Sequence, residues 1–365
     1  MIFSLVWTCA VFTTAKTDAI EIPLEVQQHL EMNVAALNPL RIEWTQNLET
    51  SMSLSQLLDK IKDTNRSLLL PSTITYAISG NRFYHHDAYK EEVNGKVRSH
   101  RQHSAFDGKK FRTGSDESNR HNTYRVDTPE HFLSTINPQS YVFYTEYFDA
   151  AGFRFGNRAA EIFSEPESQI LSLFEQGAEL TEVRDEVVAG QECRVLTLKT
   201  AEIQHQYWLL PSLGYAVFRH QERNPAGKLL NTTENSLFER IADSQLWLPK
   251  KCRVDYHSWH RIPDVIEDSP FLSLVVAVKH VGRDEISDSQ FVIDTTKGGS
   301  RVSDSTIEGQ KDEDGYVNLT IPATEVDLLR PIRPRQDRTQ LFLVLFNAAI
   351  ALCFAGWFIF RRRLS

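Results

Sequence analysis

The chain has 365 residues, 41% hydrophobic and 24% charged, with a formal net charge of −8. That length suffices for one large domain or two ordinary ones, each able to bury a core. The acidic balance excludes a nucleic-acid binder, whose surface needs a basic stripe.

In chain order, Met1 to Ala15 reads MIFSLVWTCAVFTTA and carries no charge. Its length suits the apolar region of a secretory signal, with Thr13 and Ala15 as small residues before a cleavage point. Residues 23–37 predict a helix, with Val26, Leu30, Val34 and Leu37 on one face and Pro23 in its first turn. An alternating strand follows, with Ile42, Trp44 and Leu48 on one side. Ser53-Leu-Ser-Gln56 reads as a capping box opening a helix over 53–62, whose Leu54, Leu57, Leu58 and Ile61 form one stripe.

From Thr73 the period shortens to that of strands. Ser79-Gly80-Asn81, Asn94-Gly95 and Asp107-Gly108 are turn signals about one hairpin apart, which predicts a β-meander. A mixed region holds two further helices, Pro129 to Ile136 and Pro166 to Gln176, the second stopped by Gly177. Strands resume at Leu180, with turns at Ala189-Gly190, Pro211 to Gly214 and Asn224 to Gly227. Phe271 to Val281 and Gln290 to Asp294 read as a last strand pair. Around the Pro211 turn the chain reads YWLLPSLGYAVFRHQE. Strict alternation there groups His220 with Ala216, Phe218 and Glu222, and places Arg219 on the other face.

Beyond residue 295 the composition changes. Residues 296–339 read as a stalk with one short strand at Tyr316 to Ile321. Leu341 to Phe360 is uninterrupted by charge, and such a run spans about 30 Å as a helix, the thickness of a bilayer core. Trp357 near its end and the basic tail 361–365 predict a transmembrane helix stopped by Arg361, Arg362 and Arg363. Together with a signal at 1–15, this predicts a single-pass membrane protein whose main domain, 20–295, is exported. Cys193 and Cys252 lie in that domain; they pair if the sheet closes, or remain two separate buried thiols.

Chemistry-bearing motifs are scarce. There is no Gly-x-Ser-x-Gly, no HExxH, no phosphate loop and no dinucleotide fingerprint. The histidines of interest are His85-His86, His100 with His103, His205, His220, and His257 with His260. His100 and His103 point oppositely on a strand, whereas Asp255 and His257 share a strand face with His260 following, and no third strong ligand stands at a familiar spacing. The expectation is no enzyme, no cofactor and no metal. Trp44, Tyr76, Tyr207 and Phe218 are the candidates for lining an apolar cavity.

The second meander has a particular cadence: Gly190-Gln-Glu-Cys-Arg-Val-Leu, Tyr207-Trp-Leu-Leu-Pro, Gly214-Tyr, a hairpin around Asn224 to Gly227, then Trp247-Leu-Pro. It resembles the LolA/LolB-type lipoprotein-carrier superfamily over roughly Leu24 to Asp304. More narrowly it resembles uncharacterised, membrane-anchored envelope proteins of planctomycete-type bacteria, as does the closing segment Ile286 to Phe291. The resemblance implies an α+β fold: a strongly curved antiparallel sheet, an unclosed β-barrel, with amphipathic helices covering its concave face. It implies an exported envelope protein on the periplasmic or extracellular side that binds an apolar ligand, a lipid or a lipidated protein. The alternative is a structural or protein-interaction module of the envelope. The implied partners are the membrane bilayer and a lipid or lipoprotein.

Overall fold

The computed structural model describes residues 20–52, 56, 71–93, 96–117, 122–135, 146–154, 166–258, 269–283, 286–295 and 300–321. The predicted signal, the body of the helix at 53–62, the Asn94-Gly95 turn, the span at 341–360 and Arg361 to Arg363 lie outside the described residues.

Strands dominate. A first meander comprises β1 (Leu40–Glu49), β2 (Ser72–Ser79), β3 (Arg82–Val93), β4 (Lys96–Phe106), β5 (Phe111–Glu117) and β6 (Thr123–Asp127). After a short separate pair, β7 (Phe153–Arg154) and β8 (Glu167–Ser168), a second meander runs through β9 (Glu179–Val188), β10 (Gln191–Lys199) and β11 (Gln204–Leu210). It continues through β12 (Ala216–Arg223), β13 (Leu229–Arg240), β14 (Trp247–Tyr256) and β15 (Leu272–Gly282). β16 (Arg301–Asp304) and β17 (Val317–Thr320) follow. Apart from β7 and β8 these strands form one 15-stranded sheet, which runs from β17 and β16 through β6 to β1, then from β15 back to β9. β16 lies parallel to β6, and every other described pairing is antiparallel. The sheet does not close, because β17 and β9 stand at its two ends.

Four helices are described: α1 (Leu24–Ala35), α2 (Pro129–Thr135), α3 (Glu146–Ala150) and α4 (Gln169–Glu175). The expected fold class needs correction on two counts. First, the chain is mostly sheet, and α2, α3 and α4 are each only one or two turns long. Such helices cannot form a layer of their own, and the α+β label overstates them. Second, no helix among the described residues is long and apolar enough to cross a membrane, so the transmembrane helix leaves the description of this fold. Two strand predictions also shift. Gln290 to Asp294 is not a strand: a 3-10 turn at Asp288–Phe291 leads into extended chain outside the sheet. Residues 301–304, predicted as stalk, add a strand to the sheet, and the short strand predicted at Tyr316 to Ile321 is present as 317–320 and pairs with it.

Alternation in β1 buries Leu40, Ile42, Trp44 and Gln46 on the face that carries the helices. That face also holds Ile74, Tyr76 and Ile78 of β2, with Val276 and Val278 of β15 on the far side of β1. Phe132 of α2 and Tyr147 and Phe148 of α3 close over them. Trp44 sits at the centre, its ring 5.5 Å from Tyr147 and 5.8 Å edge-on to Phe148. Over the second meander, Val26 and Leu30 of α1 and Ile170 of α4 cover Leu196, Leu198, Tyr207 and Val217. α4 is capped by Ser168, whose hydroxyl accepts from the Leu171 N–H. The Cys193 and Cys252 thiols are free and buried in separate clusters, so the two-thiol alternative holds.

The hairpin between β11 and β12 turns through a 3-10 segment at Pro211–Leu213 and ends on Gly214 at φ +61°, the left-handed region where a Cβ is costly. Asn33 of α1 donates from Nδ2 to the Gly214 carbonyl at 2.8 Å, fastening the helix to the turn.

Trp44 joins the two meanders and a helix in one contact set, so Trp44→Ala should lower unfolding stability by about 3–5 kcal/mol. Urea melts followed by far-UV circular dichroism measure it. A loss below about 1 kcal/mol would show that Tyr147 and Phe148 collapse into the space.

Candidate functional site

Among the described residues, two cavities that border the sheet stand out. The first, about 250 Å³, lies on the helix-bearing face between α3, the start of α4 and strands β12 to β14. Its walls include Asp149 and Gln169 from the helices, His220 and Glu222 from β12, and Asn231 and Thr233 from β13. A bulge explains why these side chains meet. Tyr207 pairs with His220 and Trp208 with Arg219, but Leu209 pairs with Val217, so β12 carries one extra residue at Phe218. Strict alternation is broken there. Val217 joins Tyr207 in the core under α1 and α4, whereas Phe218 packs with Trp208 on the other face. The predicted grouping of His220 with Phe218 is therefore corrected, although His220 and Glu222 do share a face.

Across the hairpin, the same register sets His205 opposite Glu222. His205 Nδ1 stands 3.3 Å from His220 Nε2 and 3.5 Å from Glu222 Oε1, and His220 Nε2 is 3.9 Å from that same oxygen. The second carboxylate oxygen of Glu222 accepts from Asn231 Nδ2 at 2.6 Å. Tyr207 stacks on His220 with ring centroids 4.2 Å apart and planes 3° from parallel, and its hydroxyl donates to Gln169 Oε1 at 3.2 Å. Burial pushes the His220 pKa down to about 4, outweighing the upward pull of Glu222. Burial lowers His205 too, again against Glu222. Both imidazoles are therefore neutral at pH 7, each with a lone pair to offer.

The second cavity, about 460 Å³, lies on the opposite face, between strands β1 to β6 and residues 289–294. Its walls mix apolar Ala77, Val292 and Ile293, the rings of Tyr84 and Tyr124, and polar Arg41, Thr75, His103 and Asp294. Phe291 and Ile286 pack against Ala77 and hold the strap down. Arg82 pairs with Asp288 and lies over the Phe291 ring, 4.7 Å from its centroid. Gly114 stands opposite Tyr124, whose ring comes within 2.3 Å of where a Cβ would sit. Only glycine lets that ring lie flat as a cavity wall.

None of Trp44, Tyr76, Tyr207 and Phe218 is among the lining residues of these cavities. Trp44 and Tyr76 share the core under α3, Tyr207 belongs to the core under α1 and α4, and Phe218 is on the other face. Asp255 is held by Arg253 Nε at 2.8 Å and by the Ser273 hydroxyl, His257 is buried beyond the end of β14, and His260 lies outside the described residues.

One further polar group is buried among the aromatics. The Asp87 side chain on β3 faces the helix-bearing side with 1% of its surface exposed. Burial pushes its carboxyl up to about 7, and the nearby Ser72 hydroxyl offsets this only in part. Two residues earlier, His85 is held neutral by burial, its pKa pushed down to about 3 with help from His86 and His103.

No protein-family model matches the chain, and no curated protein matches it. Solved structures do. A LolA superfamily protein from Nitrosomonas europaea matches at TM-score 0.38 and 10% identity, covering 74% of this chain and 98% of its own. A domain named for outer membrane lipoprotein sorting, from Vibrio parahaemolyticus, matches at TM-score 0.36 and 11% identity, covering 73% of this chain and 94% of its own. A DUF1329 family protein from Desulfovibrio piger matches at TM-score 0.34 and 11% identity, covering 73% and 97%. These neighbours include the superfamily named from the sequence and do not reach its planctomycete-type branch.

Asp87 sets a pH dependence whose sign follows from its raised pKa. Between about pH 4 and 7 the native carboxyl keeps a proton that the unfolded chain has lost. Its contribution to stability therefore falls as pH rises through that window, by up to about 1.4 kcal/mol per pH unit. Asp87→Asn removes this slope. Measured by urea melts, the stability gap in favour of the variant should open from pH 4 upward and level off above pH 7. A gap independent of pH would show that Asp87 is ionised in the native state.

Proposed function

We propose that the chain is a ligand-binding module of the cell envelope, acting on the exported side, and that it takes an amphiphilic ligand with an acyl chain, a lipid or a lipidated protein. The observation that carries this reading is the 460 Å³ cavity on the face opposite the helices. Its volume falls within the range of small-molecule sites. Its lining divides as an amphiphile does. Val292, Ile293, Ala77 and the tyrosine rings offer apolar wall, and Arg41 and His103 offer donors for a head group. The sequence cadence that resembles lipoprotein carriers selects an acyl chain from among the amphiphiles that such a cavity suits.

The helix-bearing face fits this ligand less well. Its centre is filled by Trp44, Tyr147 and Phe148, all fully buried, and its described cavity is polar-lined. The cover over the 460 Å³ cavity is different. It is a strap that opens on a 3-10 turn and has no strand pairing among its described residues. It is held by Phe291 and Ile286 beside Ala77, by Ile293 in the cluster of Ala105, Tyr124 and Val302, and by the Arg82 contacts. Such a strap can lift without breaking the fold. On this reading the protein is not an enzyme.

Binding of a fluorescent fatty acid to the purified chain tests the proposal, with Thr75→Trp as the variant that fills the cavity. The parent should bind saturably, and the variant should bind at least about tenfold more weakly, a loss of about 1.4 kcal/mol. Lipid extracted from the purified parent and identified by mass spectrometry should be absent from the variant. Equal binding by both would remove the cavity from the argument and leave a protein-interaction module.

A further inference from the structure

His205, His220 and Glu222 stand apart from the cavity assigned to the ligand, and their geometry has a second meaning. Their three facing atoms are separated by 3.3, 3.5 and 3.9 Å. As hydrogen bonds these separations are long, since N–H···O and N–H···N contacts favour 2.7–3.2 Å. As the edges of a metal coordination sphere they fit. Ligand atoms bound tetrahedrally at about 2.1 Å lie about 3.4 Å apart. A point equidistant from the three atoms falls about 2.1 Å from each, the length of a Zn–N or Zn–O bond.

We infer that His205 Nδ1, His220 Nε2 and Glu222 Oε1 form a binding site for a divalent transition-metal ion of the zinc class, with its remaining coordination position open to the 250 Å³ cavity. Two imidazoles and one carboxylate are a borderline-soft set that suits such an ion better than Mg²⁺ or Ca²⁺, which want oxygen. The ligands are preorganised by the fold. His205 and Glu222 are register partners on adjacent strands, and His220 is fixed by its stack on Tyr207. Asn231 holds the second oxygen of Glu222 and so aims the first, as outer-shell partners of metal ligands do. Because His220 and Glu222 line the cavity, an ion there has space on that side for water or a ligand oxygen, next to Gln169, Thr233 and Tyr256.

Without a metal, the set is a histidine pair sharing one proton beside a carboxylate. The two readings separate experimentally. The full chain is stripped with EDTA, dialysed, and titrated with ZnCl₂ by isothermal calorimetry at pH 7.5. One equivalent should bind saturably, and Co²⁺ in its place should give the visible absorption of a four-coordinate centre. Glu222→Gln and His220→Gln should each abolish the saturable phase. Asn231→Ala should keep one equivalent but weaken it about 10–100-fold. Circular dichroism of each metal-free variant checks folding, and Glu222→Gln, at a partly exposed carboxylate, decides the matter if the buried histidine variant does not fold. Absence of saturable uptake by the parent, or uptake unchanged in Glu222→Gln, overturns the site. Neither outcome touches the fatty-acid result, which reports on the other face of the sheet.

Discussion

The pairing of β1 with β15 is the constraint on which the rest depends. These strands lie more than 200 residues apart in the chain, yet they pair from Arg41–Gly282 to Glu49–Ser273, with one register shift between Glu43 and Trp44 that passes over Lys279. Remove it and the sheet becomes two meanders, each with an apolar face that its short helices cannot cover alone. The ladder also holds Trp44 between Ile74 of β2 and Val278 of β15, which is why α3, with only five residues, is enough to close the centre. Polar contacts reinforce the seam at its margin, where Arg253 of β14 bonds Glu49 of β1 at 2.8 Å.

Once the seam is fixed, departures from regular pairing decide what faces what. An extra residue at Phe218 in β12 turns Val217 into the core and leaves Phe218 with Trp208. Because the shift comes after the hairpin turn, it carries His220 and Glu222 into register with Tyr207 and His205. The hairpin would otherwise set His205 opposite Gln221. The bulge is thus the local feature that assembles the polar cluster, consistent with the placement of bulges beside functional sites.

Much of the frame was legible in the sequence, because its signals are local. The Asp107-Gly108 turn, the Pro211 to Gly214 reversal, the stripe of α1 and the alternation of Ile42 and Trp44 each depend on a few adjacent residues. What was not legible depends on partners distant in the chain. Residues 301–304 look like linker because their sequence is short and polar, and pairing between the parallel edge of β6 and antiparallel β17 makes them a strand. Gln290 to Asp294 has strand-like composition but pairs with no described strand, and its Phe291 packs against Ala77 instead. The candidate cavity residues Trp44, Tyr76, Tyr207 and Phe218 are large aromatics, and here they pack in core clusters and line neither cavity. The signal that would have found the polar cluster was present in His205-x-Tyr207 and His220-x-Glu222 flanking one turn. Reading it needed the bulge, and a single sequence does not mark a bulge at a phenylalanine.

The two faces of the sheet solve different problems, and this bears on how the molecule can work. On the helix-bearing side, aromatics pack tightly around a minority of polar groups, among them Asp87, Asn235 and the histidine pair. Asn235 donates to the carbonyls of Ala150 and Val217 at 2.6 and 2.8 Å, fastening α3 to the sheet from within. Buried bonds of this kind are costly to break one at a time, because each released group stays dry. This face is therefore suited to holding a fixed geometry, whether of the core or of a small coordination site. The other face is covered by a strap secured mainly by side chains, with Asp288 of its outer ion pair 90% exposed. Exposed pairs contribute little stability, so opening this side disturbs mainly the packing of Phe291, Ile286 and Ile293. The two cavities thus share no lining residue, and under the proposed reading a ligand entering beneath the strap would leave the polar cluster undisturbed.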